Sequence, residues 1–111
     1  MDDEFGYLET EMNRGFIQVL VLACLENKMY GYQMLRHFQE LGYQIEENTL
    51  YPLLRRLEKN KLIQSQWDVS QDRPRKFYII SGKGKKVRKE LLDIRQKQNK
   101  VIDKLVEAKN V

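Results

Sequence analysis

The sequence predicts a mainly α-helical protein with a small β-hairpin, an α+β fold, that ends in a long helix. Three observations support this prediction. Leucines at positions 50, 53, 54 and 57 recur at helical spacing. The pattern then changes to two short segments within residues 62–80 that are rich in aromatic and β-branched residues, which is typical of strands. Between residues 87 and 108 the apolar positions alternate steps of four and three, the heptad seam of a helix that packs on another helix.

The first helix is expected from Leu8 to Glu26. Its segment 16–25 is apolar almost all round, apart from Gln18, and such a helix is buried on several sides. A domain of 111 residues can hardly cover it alone, so we expect part of it to contact a second subunit. The apolar segment is about half as long as a membrane span requires, and acidic residues precede it, which argues against a signal peptide.

A second helix is expected from Tyr30 to Leu41, where Gly42 ends it. A short turn then leads into a third helix that starts near Glu46–Asn48 and places Pro52 in about its first turn. The leucine stripe of the third helix faces the core. Its opposite face and the flanks of that face carry Asn48, Thr49, Tyr51, Pro52, Arg55, Arg56 and Lys59. Two helices joined by a tight turn, the second with a basic outer face, form the helix-turn-helix pattern.

The basic face of the third helix suits a DNA groove. Arginine reaches guanine edges or phosphates, while threonine, asparagine and tyrosine reach phosphate oxygens. We therefore predict that the seven residues of this face contact double-stranded DNA. The alternative is an ordinary surface helix whose charged face is merely solvated. The net charge of +4 permits a nucleic acid as partner without requiring one.

The two expected strands, Leu62–Trp67 and Lys76–Ile80, form a hairpin with a loop of roughly eight residues, which is called a wing when it follows a helix-turn-helix. Trp67 is expected to pack at the base of this hairpin. The basic side chains at the end of the loop are predicted to hold DNA phosphates, and they are Arg73, Arg75 and Lys76. The alternative is a solvated loop that happens to be basic.

The last helix is expected from Lys83 to Ala108, capped by Ser81, and is nearly 40 Å long at the rise of an α-helix. Its seam needs a partner, which is the same helix or the first helix of another copy. The predicted dimer contacts are Phe16, Leu20, Val87, Leu91, Ile94, Val101, Ile102 and Leu105. We thus expect a winged helix-turn-helix DNA-binding domain in residues 1–80 and a dimerisation helix in residues 81–111.

The remaining residue types do not point to catalysis. Cys24 cannot form an internal disulfide, which fits a reducing compartment, and we expect a core position for it and a cytoplasmic protein. His37 is expected on the surface, since no acidic or thiol cluster accompanies it at metal-ligand spacing. The sequence has no Ser-His-Asp or Cys-His set and no glycine loop that could cradle a phosphate. We expect no enzymatic activity, no metal, no cofactor and no membrane contact.

Several short motifs resemble those of one family, the PadR family of bacterial transcription regulators. They are Arg14-Gly15, Tyr30-Gly31-Tyr32, Thr49-Leu50-Tyr51-Pro52 with Leu54, Arg56-Leu57-Glu58, Leu62-Ile63, Arg75-Lys76-Phe77-Tyr78, Ser81 and Gly84. The short tail resembles the subgroup with a single C-terminal helix. The resemblance implies a homodimeric winged helix-turn-helix protein that binds an inverted-repeat operator, usually as a repressor, and often responds to small aromatic or drug-like effectors.

The sequence departs from the family pattern at three places. Asn48 stands where glycine is common, and Asn60-Lys61 replaces a glycine turn, with Asn60 expected to tolerate the left-handed geometry. Arg95 lies near the place where some multidrug-binding relatives have a tryptophan.

An effector cavity at the dimer centre is predicted to be lined by Phe16, Val19 and Ile94. A protein-interaction module and a constitutive repressor without an effector are the alternatives.

Overall fold

A computed structural model of the chain describes residues 3–109 and contains the expected helices and hairpin together with one further strand. The elements are α1 (Asp3–Cys24), β1 (Met29–Tyr30), α2 (Gly31–Glu40), α3 (Glu47–Lys59), β2 (Ile63–Asp68), β3 (Arg75–Ile80) and α4 (Gly82–Lys109). The predicted α+β class is confirmed. Residues 1, 2, 110 and 111, which the expected domains include, lie outside the described residues.

The core lies between α1, α2, α3 and one face of the sheet. Leu50 and Leu54 of α3 are fully buried, and so are Val21 of α1 and Met34 of α2. The predicted leucine stripe is therefore confirmed as the buried side of α3. Burial of one leucine side chain stabilises the fold by about 1.5–3 kcal/mol, so this stripe fixes the orientation of α3 and of its opposite face.

The first helix begins at Asp3 rather than at Leu8 and ends at Cys24 rather than at Glu26. Cys24 is half-buried against the core, and its thiol donates a hydrogen bond to the carbonyl of Val21 at 3.2 Å. Burial raises the pKa of this thiol to about 12, while the backbone hydrogen bond opposes the shift. A thiol that stays protonated is a poor nucleophile.

The second helix ends as predicted at a left-handed glycine. Gly42 has a φ of +87°, and its N–H donates to the carbonyl of Gln39 at 2.9 Å. The N–H of Tyr43 donates back to the carbonyl of Phe38 at 2.8 Å. This pair of bonds is the Schellman motif, which turns the chain sharply toward α3. His37, in the last turn of α2, is exposed as predicted.

The start of α3 lies within the predicted residues 46–48, and only the position of Pro52 differs from the prediction. The N–H groups of Thr49 and Leu50 both donate to the carbonyl of Glu46 at 3.0 Å, so the helix begins there. Pro52 is then the sixth residue of α3 and lies in the second turn, not the first. Because proline has no N–H, the carbonyl of Asn48 receives no helical hydrogen bond from it. Both residues are exposed, where water can reach that carbonyl.

At the end of α3 the left-handed residue is Lys61, with a φ of +65°, and the prediction that Asn60 would take this role is wrong. Asn60 has a φ of −82°. The N–H of Leu62 donates to the carbonyl of Leu57 at 3.0 Å, and the N–H of Lys61 donates to the backbone carbonyl of Glu58 at 2.9 Å. These bonds form the same Schellman motif as in α2, and the motif requires the left-handed conformation one residue later than expected.

The sheet has the order β1-β3-β2 and is antiparallel throughout. β2 and β3 pair from Ile63 opposite Ile80 to Asp68 opposite Arg75, so the loop comprises residues 69–74 and is shorter than predicted. Trp67 lies near the loop end of β2, not at the base, and 60% of its surface is exposed, so the predicted packing is wrong.

The fourth helix starts where Ser81 caps it, as predicted: the Oγ of Ser81 accepts the N–H of Gly84 at 2.9 Å. Its first turns pack on α1, and Arg88 forms an ion pair with Glu26 at 2.6 Å. Val87 and Leu91 are half-buried, whereas the remaining residues of the seam are exposed. The molecule is elongated and measures 61 × 35 × 24 Å.

No helix in residues 3–109 combines the length and apolarity that a membrane crossing needs.

Candidate nucleic-acid interface

The outer face of α3 lies opposite the buried leucine stripe and is exposed to solvent. Asn48, Pro52, Arg55 and Lys59 follow one another at steps of three and four, and all four are exposed. An open groove of about 620 Å³ lies beside the first turns of α3, and its lining includes Asn48, Pro52 and Arg55. The predicted exposed face thus exists, and its donors point away from the core.

Tyr51 lies on the flank of this face that adjoins the N-terminus of α2. Its ring is half-buried against Gly31, where a Cβ would come within 2.6 Å of the Tyr51 Cε1. Burial, together with the nearby carboxylate of Glu47, raises the pKa of the Tyr51 phenol. The hydroxyl therefore stays protonated and can act as a hydrogen-bond donor. Glycine at position 31 lets α2 and α3 approach closely enough to hold this ring.

The wing is joined to α3 by one carboxylate. Glu58 accepts a hydrogen bond from the Oγ of Ser65 in β2, and its Oε1 lies 3.7 Å from the Nζ of Lys76 in β3. Lys76 also lies 5.8 Å from the ring of Trp67 and 5.9 Å from that of Tyr78. The predicted phosphate contact Lys76 is thus half-buried between the wing and α3, where it also holds the two elements together.

The basic end of the loop leads to a contact that sequence reasoning missed. Arg73 and Arg75 are exposed. The Nη1 of Arg75 donates to the hydroxyl of Tyr32 at 3.0 Å, and the guanidinium lies 5.2 Å from the Tyr32 ring. Tyr32 belongs to the Tyr-Gly-Tyr motif, which was the available signal, but nothing in the spacing indicated a partner in the wing. The contact holds Arg75 beside the first turn of α2.

A second link orders the start of the wing loop. Asp68 accepts hydrogen bonds from the hydroxyl of Tyr30 and from the side chain and N–H of Ser70. These bonds, with that from the Ser70 side chain the largest cause, lower the pKa of Asp68 to about 2. The same contact with a carboxylate raises the pKa of Tyr30. Asp68 is therefore ionised at neutral pH, and it fixes the strand end from which the basic loop projects.

The residues predicted for the dimer and the effector lie along α1 and α4. Phe16 is half-buried, with the ring of Tyr43 at 5.0 Å and the guanidinium of Arg95 at 4.5 Å. Val19 and Leu20 are half-buried as well. Four of the predicted dimer or effector residues on α4 have more than half of their surface accessible, and they are Ile94, Val101, Ile102 and Leu105. Among the residues described, no group of three or more potential ligands could hold a metal ion.

Comparisons with known proteins identify the family of this chain. A family model described as the transcriptional regulator PadR-like family matches residues 19–90. The chain is 37% identical to a PadR family transcriptional regulator from Eggerthella lenta, covering 96% of this chain and 95% of that chain, with a TM-score of 0.86. It is 31% identical over 106 residues to an uncharacterized protein from Lysinibacillus sphaericus, covering 91% of this chain and 97% of that protein. It is also 29% identical over 76 residues to a transcriptional regulator from Mycobacterium tuberculosis, covering 68% of this chain and 71% of that protein.

Proposed function

Because the chain belongs to the PadR-like family of transcriptional regulators, we propose that it is a cytoplasmic, homodimeric repressor that binds an inverted-repeat operator in double-stranded DNA. Residues 1–80 bind the DNA in this proposal, and residues 81–111 join the two copies. The observation that carries the proposal is the outer face of α3. A fully buried leucine stripe holds this face outward with two arginines, one lysine and short hydrogen-bonding side chains on it.

The outer face of α3 fits the major groove. Arg55 and Lys59 can reach base edges or phosphates, since arginine pairs with guanine through two parallel hydrogen bonds. Thr49, Tyr51 and Arg56 on the flanks are placed to contact the sugar–phosphate backbone. The wing then brings its own basic side chains to the neighbouring phosphates or the minor groove, and these are Arg73, Arg75 and Lys76.

The second copy is supported by the two helix ends that extend beyond the core. The first half of α1 is acidic and the second half of α4 is basic, with exposed Glu4, Glu9 and Glu11 on one and Lys97, Lys100 and Lys104 on the other. Leu8, Met12, Val101 and Leu105 are exposed between these charges. A partner that lays its α1 on α4 covers the apolar side chains and pairs the charges. A twofold dimer then presents two α3 helices to half-sites about 34 Å apart.

A small effector fits the proposal at the junction of α1 and α4. Phe16, Val19 and Ile94 supply apolar surface, and Arg95 adds a positive charge 4.5 Å from the Phe16 ring. A flat aromatic compound with a carboxylate is therefore favoured over a cationic drug. Such a compound releases DNA if it binds better to a dimer whose α3 helices have the wrong separation. Aromatic carboxylates should raise the melting temperature, and no rise would indicate a constitutive repressor.

The recognition face is tested with the double variant Arg55→Ala/Arg56→Ala. We expect its affinity for the DNA upstream of its own gene to fall on the order of 100-fold in gel shifts, because base and phosphate contacts are both lost. Footprinting of the unchanged protein should show two protected half-sites. The matched control is Lys85→Ala/Lys86→Ala, which removes the same charge from exposed positions at the start of α4 and should retain most of the affinity.

Two outcomes would contradict the proposal in different ways. Unchanged operator affinity of the arginine double variant would show that another surface reads the DNA. A properly folded dimer that forms no specific complex with this DNA, at low or moderate salt, would favour a protein-interaction module instead. Circular dichroism and light scattering of every variant exclude unfolding or dissociation as the cause of a lost complex.

A further inference from the structure

The first helix runs beside α3 and leaves a groove on the side of α3 opposite to Glu58 and the wing. A cavity of about 450 Å³ lies in this groove, lined by Arg14 and Gln18 of α1 and by Thr49 and Arg56 of α3, among others. A second cavity of about 280 Å³ adjoins it. Arg14 and Thr49 line both cavities, so Arg14 stands at the centre of the groove.

The polar groups along the groove are those that bind phosphate. Two guanidinium groups, Arg14 and Arg56, approach it from different helices, and Thr49 adds a hydroxyl. Guanidinium groups match phosphate oxygens with paired, charge-assisted hydrogen bonds. Two carboxylates are nearby: Glu46 lines the smaller cavity, and Glu11 lies 3.3 Å from the Nη2 of Arg14. The Glu11 pair is solvent-exposed on both sides, and such pairs contribute little, so Arg14 can exchange this partner.

The groove opens on the same face of the protein as the proposed recognition surface. Pro52 lines both the larger cavity of this groove and the open groove beside Arg55. A duplex that lies against Asn48, Pro52 and Arg55 therefore carries one of its strands past Arg14. The wing serves the opposite flank of α3, and so the two strands that border the major groove would each meet a basic element.

We propose that Arg14 of α1 binds a DNA phosphate jointly with Arg56 and Thr49, as a backbone contact outside the helix-turn-helix and the wing. The inference rests on the proposed function, because it presumes that α3 enters the major groove. It assigns to Arg14 a role in positioning the duplex and none in reading its sequence, since phosphates are the same at every base pair.

The test is the salt dependence of DNA binding by Arg14→Ala. A lost phosphate contact should reduce the slope of log affinity against log salt by about 1, and should weaken operator and random DNA alike, on the order of tenfold at low salt. Arg14→Lys should keep most of the slope, because the charge remains. The control Lys85→Ala removes one exposed positive charge from the start of α4, outside the residues assigned to DNA binding or dimerisation, and should leave the slope unchanged.

The outcomes separate this inference from the proposed function. If the unchanged protein binds its operator and Arg14→Ala, folded by circular dichroism, binds with the same slope, the Arg14 contact is disproved while the repressor remains. A loss confined to the operator, with random DNA unaffected, would also overturn it, because that pattern belongs to a base contact. If the unchanged protein binds no DNA, the proposed function is wrong, and the Arg14 contact, which rests on it, fails for that reason.

Discussion

Helices α3 and α4 carry the same kind of apolar pattern but have opposite surroundings. In α3 the residues Leu50 and Leu54 are completely buried. In α4 the equivalent seam residues Val101 and Leu105 have 51% and 62% of their surface exposed. Spacing alone therefore identifies the side of a helix that needs a partner, but not whether that partner belongs to the same chain.

The difference follows from what lies beside each helix. The α3 stripe faces α1, α2 and the sheet, all within reach of the chain. Beyond Arg95, which contacts the ring of Phe16 in α1, the seam residues Val101 and Leu105 of α4 are exposed to solvent in one copy. An apolar seam of this length in contact with water is unfavourable, which supports a second copy as its partner.

The largest expected effect distinguishes the two seams directly. Leu54→Ala should lower the free energy of unfolding by about 3–4 kcal/mol, because it leaves a cavity in a fully buried site. This loss should be the same at every protein concentration. Leu105→Ala should cost stability only at concentrations where the dimer forms. Urea unfolding followed by circular dichroism at two concentrations, a hundredfold apart, measures both.

Equal, concentration-independent losses in both variants would contradict the comparison. That result would mean that Leu105 is covered within its own chain in solution, and α4 would then need no second copy.

The next effect concerns association. Val101→Lys places a charge in the α4 seam and should raise the dimer dissociation constant on the order of 100-fold, because the ammonium group would be buried without a partner. The helix content should stay unchanged, since Val101 is exposed in the single chain. Asn99→Lys adds the same charge outside the seam and is the matched control. Sedimentation equilibrium gives both constants, and a Val101→Lys protein that remains as dimeric as the control would rule out this seam.

Sequence reasoning succeeded where a local pattern determines the structure. Leucine spacing fixed the buried side of α3, and hence the exposure of Asn48, Arg55 and Lys59 on the other side. Gly42 and Ser81 marked helix ends through hydrogen bonds to neighbours in sequence, which short-range chemistry predicts.

Features that depend on contacts distant in sequence were not predictable in the same way. Strand β1 has two residues, which is too short for any alternation, and it exists only because β3 pairs with it. The contact of Arg75 with Tyr32 joins residues 43 positions apart. The groove that contains Arg14 arises from the way α1 packs beside α3, which no spacing in either helix specifies. Family motifs signalled Arg14 and Tyr32 as important without indicating what they touch.

The smallest expected effect tests the end of α3. Lys61 occupies a left-handed conformation that costs a residue with a Cβ about 1 kcal/mol, while Gly42 holds the equivalent position of α2 at no such cost. Lys61→Gly should therefore stabilise the fold by about 0.5–1 kcal/mol, part of the gain being offset by the flexibility that glycine adds to the unfolded chain. Asn60→Gly should lose a similar amount, since Asn60 has an ordinary φ of −82° and gains nothing from glycine. If Lys61 is the left-handed residue, thermal unfolding should show a higher melting temperature for Lys61→Gly and a lower one for Asn60→Gly. A gain from Asn60→Gly and a loss from Lys61→Gly would instead return the left-handed role to Asn60.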